Sequence, residues 1–94
     1  MSRRHDWMRV MASIIDENLG QMGRHPCPRC GQYQLEFRYL GYPETRYATI
    51  YFWCNACLHG IQVSRARAPE GVPVHSIKDP AESKAIPDFV RCES

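Results

Sequence analysis

Apolar positions recur along this chain with two different periods, and the change from one to the other divides it into stretches. Between residues 3 and 19, Trp7, Val10, Met11, Ile14 and Asn18 fall at three- and four-residue spacing, four of them apolar. That spacing predicts an amphipathic helix with one covered face. Ser2 supplies a candidate N-cap and Gly20 a candidate stop beyond the last turn. A helix of this length is marginal alone in water, so its stripe must lie on something.

From residue 33 the period changes to two: Tyr33, Leu35, Phe37 and Tyr39 alternate with Gln34, Glu36 and Arg38. This is the signature of a half-buried strand. A second run over residues 47–53 is aromatic and β-branched and predicts another strand. Residues 40–46, with Gly41 and Pro43, read as the loop of a hairpin. Ile61 and Val63, spaced by Gln62, predict a short third strand. Beyond residue 68, Pro69, Pro73, Pro80 and Pro87 crowd out a regular helix or a central strand. The tail should therefore be extended, with Ile86, Phe89 and Val90 as the residues able to tuck back. The expected organisation is one ribbon unit over 1–67, with its helix at 3–19 and its ribbon at 26–66, followed by a tail over 68–94.

The cysteines add chemistry to this outline. Cys27-Pro28-Arg29-Cys30-Gly31 and Cys54-Asn55-Ala56-Cys57 are two Cys-x-x-Cys pairs, 23 residues apart. Each two-residue spacing lets one tight turn present two thiolates, and four thiolates satisfy a tetrahedral zinc ion. Pro28 presets the first turn, while Gly31 tolerates the positive φ at which backbone N–H groups fold toward sulfur. Cys27, Cys30, Cys54 and Cys57 are thus the expected ligands of one structural Zn2+. His25 and His59 are the neighbouring imidazoles that would compete for a place in the shell. Cys92 is left over as a spare thiol.

With the hairpin between its two pairs, this pattern resembles the zinc ribbon family over about residues 26–63. The resemblance implies a fold and four ligands, namely a small zinc-stabilised α+β domain with the helix packed on a three-stranded antiparallel ribbon. It implies no role, because ribbons serve unrelated functions. Leu58 stands where the family has a glycine after the last ligand, so a less regular second turn is expected.

Several kinds of chemistry are disfavoured by the same residues. A thiol redox pair needs a βαβ context and a helix N-terminus, which neither pair has. Four cysteines close the coordination shell that catalytic zinc keeps open. Pro26 and the first pair match half of a nucleobase-deaminase pattern, but no histidine is followed two residues later by glutamate. Transcript-cleavage ribbons carry an adjacent acidic pair at the hairpin tip, where this chain has Glu44 alone. A non-enzymatic role is expected.

Charge sharpens the choice of partner. The chain of 94 residues has a formal net charge of +2. Residues 24–67 hold six arginines against Glu36 and Glu44, while the tail holds five acids against Lys78, Lys84 and Arg91. Arginines interleaved with aromatics suit single-stranded nucleic acid, but a small ribbon must also spend aromatics on burial, and the basicity is modest for a dedicated binder. A ribbon with one face covered by a helix leaves its other face or an edge for a protein or a second copy. Protein interaction is the preferred expectation and nucleic-acid binding the alternative, with Arg29, Arg38, Tyr42, Arg46, Arg65 and Arg67 as candidate contacts for either. No apolar run reaches membrane-span length and no export signal is apparent, so a cytoplasmic location is expected.

Overall fold

The computed structural model describes residues 4–16, 25–68 and 71–92. Helix α1 (Arg4–Asp16) buries Trp7, Met11 and Ile14 at i, i+4 and i+7, and Val10 is half-buried beside them. The stripe read from the sequence is therefore the face that packs. Ser2, Asn18 and Gly20 lie outside the described residues, as do residues 3, 17 and 19 of the expected helix.

Strands β1 (Leu35–Tyr42), β2 (Tyr47–Cys54) and β3 (His59–Arg67) run antiparallel in sequence order. Tyr42 pairs with Tyr47, so the connection is four residues long rather than the seven expected. Residues 40 and 41 belong to the strand. Leu40 is buried, and a Cβ on Gly41 would run into the Tyr47 carbonyl and the Ala48 backbone across the hairpin. Gly41 thus marks a close backbone approach, not a turn. The turn closes through Thr45 and Arg46 N–H groups donating to the Tyr42 carbonyl, and Arg46 ends it at φ 67°. Tyr33 falls outside β1 and is exposed.

The expected three-stranded antiparallel ribbon is corrected to a five-stranded mixed sheet in the order β4-β1-β2-β3-β5. The tail is not simply extended. It forms β4 (His75–Ser76), helix α2 (Pro80–Lys84) and β5 (Val90–Arg91). β4 adds parallel to β1 and β5 adds parallel to β3. Open edges present unpaired N–H and C=O groups, and segments as short as two residues fit between prolines to satisfy some of them. Pro80 opens α2 at its first turn, where its missing N–H costs nothing, and the Asp79 carboxylate caps that turn by accepting from the Ala81 N–H at 3.0 Å.

Register places Leu35, Phe37, Tyr39, Ala48, Ile50, Phe52, Cys54, Ile61 and Val63 on one face. Helix α1 covers it, with Trp7 edge-on to Phe52 at 5.5 Å between ring centroids. This is the main core. The opposite face is partly covered by the chain's own tail. Phe89 stacks on Trp53 at 5.8 Å, and Glu82 of α2 accepts from Arg38 at 2.8 Å and faces His75 Nδ1 at 2.6 Å. The acidic tail lies across the basic ribbon because both apolar area and opposite charge draw it there.

Candidate metal centre

Two turns of like construction face each other at one end of the sheet. In the first, the Gly31 N–H donates to the Cys27 carbonyl at 2.9 Å; in the second, the Leu58 N–H donates to the Cys54 carbonyl at 2.8 Å. Backbone N–H groups of Arg29 and Cys30 point at Cys27 Sγ (3.3 and 3.4 Å), and that of Ala56 points at Cys54 Sγ (3.3 Å). The N–H groups of Gln32 and His59 approach Cys30 and Cys57 in the same way. Such donors offset the negative charge that builds up on a four-thiolate shell. Repetition of the Cys-x-x-Cys pattern was the signal that could have located Gln32 and His59, each two residues beyond the second cysteine of its pair.

The four sulfurs lie within 4.8 Å of one another. Cys27 and Cys57 approach to 3.7 Å, and Cys30 and Cys54 to 3.6 Å. A tetrahedral zinc with bonds of about 2.3 Å requires sulfur separations of roughly 3.8 Å. A disulfide needs about 2.05 Å, and none of these four cysteines forms one. The cluster is therefore arranged to hold a metal ion. Burial pushes the Cys27 thiol up to about 12 and raises Cys57, while the Gln32 N–H lowers the exposed Cys30. Buried thiols of this kind become thiolates when a cation supplies the compensating charge.

Leu58 answers the departure noted in the sequence. It adopts φ 53°, the left-handed conformation that Gly31 adopts at φ 79° in the matching position. The second turn keeps its geometry, and a residue with a Cβ bears the strain. Gly31 isolates that strain, since a Cβ there would meet no atom within 4 Å. Gly31→Ala should cost about 1–2 kcal/mol through backbone conformation alone, and Gly31→Asn should cost less. Urea melts of the metal-loaded variants would check this, and equal stability of all three proteins would refute it.

Neither His25 nor His59 belongs to the cluster. His59 Nδ1 donates to the Cys57 carbonyl at 2.8 Å and so orients the strand that leaves the second turn.

The six candidate contact residues do not converge. Arg29 is exposed on the first cysteine turn. Arg38 is held by Glu82, and Arg46 Nη2 donates to the Val72 carbonyl at 2.7 Å. Arg67 is exposed at the end of β3, across from Tyr47. Tyr42 and Arg65 meet, with Tyr47, in a groove at the end of the sheet away from the cysteines. No helix of the described residues is long and apolar enough to cross a membrane. Comparison with protein-family models, with curated proteins and with solved structures finds no match.

Proposed function

We propose that this chain is a non-catalytic zinc-ribbon module of the cytoplasm whose role is to dock a protein partner. The reading rests on the cysteine tetrad, whose spacing suits one fully coordinated Zn2+. A closed shell of four thiolates leaves no position for water or substrate, so the ion serves the fold rather than a reaction.

Protein docking is favoured over nucleic acid by what the tail does to the basic ribbon. Arg38 and Arg46 are engaged within the chain, and Tyr39, Phe52 and Trp53 are buried. The exposed arginines lie apart, Arg29 on the first cysteine turn and Arg65 and Arg67 near the opposite end of β3, and so do not form the continuous cationic, aromatic track that single strands require. The large side chains that stay exposed include Tyr42, Tyr47 and Ile77, and exposed aromatic and aliphatic groups gathered on one surface suit a protein contact. Titration of labelled single-stranded and duplex oligonucleotides at two salt concentrations tests the choice. Binding no tighter than the weak nonspecific range of about 10⁻⁴ to 10⁻⁶ M is expected. Submicromolar affinity that falls steeply with salt would replace this reading with the nucleic-acid one.

A further inference from the structure

The end of the sheet opposite the cysteines carries a groove of about 400 Å³ whose lining includes Leu40, Tyr42, Tyr47, Thr49, Arg65 and Ile77. It lies on the face away from α1. Glu82 and Phe89 cover that face over Arg38 and Trp53, whereas Tyr42, Tyr47 and Ile77 stay 48%, 56% and 45% exposed.

Three features meet in this groove. The paired tyrosines and Ile77 leave apolar area in water, where it would gain from being covered. Arg65 lines the groove, yet its guanidinium has no hydrogen bond or ion pair among the described residues. Its backbone is also held at φ 58°. This occurs at a bulge, where β3 sets Ser64 and Arg65 against Thr49 alone between the Ala48–Ala66 and Ile50–Val63 pairs. Bulges re-aim side chains, and a left-handed conformation in a residue other than glycine is strain that the surrounding structure must hold in place. Here the strain brings a free cation to the rim of an apolar, aromatic trough.

The guest follows from shape and charge. A small-molecule pocket encloses most of its ligand, but walls this exposed can cover only one side of a guest, which suits a segment of a larger molecule. Arg65 and the neighbouring Arg67 both lack partners among the described residues, so the guest should bring a carboxylate. A nucleic-acid strand would need a series of cations along its path, and the lining supplies one. Resting on the protein-docking reading above, the geometry points to a groove that receives a partner-protein segment in which an aromatic or branched apolar side chain stands beside Asp or Glu. The apolar side chain lies between Tyr42, Tyr47 and Ile77, and its neighbouring carboxylate accepts from Arg65.

Amide NMR shifts of the zinc-loaded full chain provide the test, with blocked peptides acetyl-Asp-Phe-Glu-amide and acetyl-Asn-Phe-Gln-amide and a short oligothymidylate as probes. The acidic peptide should give saturable shifts centred on Tyr42, Tyr47 and Arg65, with affinity about tenfold above that of its amide counterpart. Arg65→Asn, which keeps a residue tolerant of the left-handed conformation, should lose about that tenfold preference. Tyr47→Ala should weaken both peptides while leaving the remaining spectrum in place. Equal binding of the two peptides, shifts centred elsewhere, or no saturable shift would overturn the groove assignment while leaving the docking module intact. Concentration-dependent shifts of the same amides without peptide would overturn the partner in favour of a second copy. Tight, salt-sensitive oligothymidylate binding would bring down the docking reading itself.

Discussion

Chelation of the purified, reduced protein is expected to abolish its cooperative melt, and Cys54→Ser to do the same without chelator. Cys54 is fully buried, its sulfur lies 3.6 Å from that of Cys30, and it ends the central strand of the sheet. Without a cation, four sulfurs crowd within 4.8 Å of one another where two turns meet, each turn closed by a few backbone hydrogen bonds such as Gly31 N–H to the Cys27 carbonyl and Leu58 N–H to the Cys54 carbonyl. Structural zinc in small domains contributes on the order of 10 kcal/mol or more, comparable with the roughly 5–15 kcal/mol net stability of a whole domain. Losing it should therefore remove the ordered state rather than soften it. Zinc uptake should release protons, because an ordinary cysteine thiol, with a pKa of about 8.5, is mostly protonated at neutral pH and binds the metal as a thiolate. Near-UV circular dichroism, elemental analysis and proton release in weak buffer together read these outcomes. A metal-free sample with an unchanged melt, or folded material holding well under one equivalent of metal, would defeat the zinc assignment.

The second large effect is expected at the contact between α1 and the sheet. Trp7→Ala should destabilise the zinc-loaded protein by about 3–5 kcal/mol, the usual cost of emptying an aromatic site in a core. Trp7 is fully buried and meets Phe52 edge-on, with an 81° angle between the rings. The helix has 13 residues, too short to persist alone in water, so its order depends on this face being covered. Loss of the indole should lower the urea midpoint and also the helical far-UV signal. His5→Ala, on the exposed side of the same helix, should change stability by less than about 0.5 kcal/mol. Indistinguishable midpoints for the two variants would mean that α1 is not part of the cooperative unit.

Much of the site is legible in the sequence. The two Cys-x-x-Cys turns are local, and a turn that presents two thiolates needs only the residues within it. The helix stripe was legible for a similar reason, since Trp7, Met11 and Ile14 are set on one side by helical geometry alone. Leu58 was noticed as a departure, but its left-handed backbone becomes visible only beside the matching Gly31. The arginines were harder to read. Arg38 and Arg65 look alike in the sequence, yet one is held by Glu82 and the other lines an open groove.

By itself, then, the sequence determined the two cysteine turns, the helix face and the central hairpin, because periods of 3.6 and 2 and a two-residue cysteine spacing are imposed by backbone geometry over a few residues. Only the tertiary structure decided the sheet's two outer strands, the strap over its second face and that Arg38 is held by Glu82 while Arg65 lines a groove. β4 and β5 are two residues each, too short to display a period. Their pairing is set by edges and charges more than thirty residues away along the chain, a distance over which no local pattern carries information.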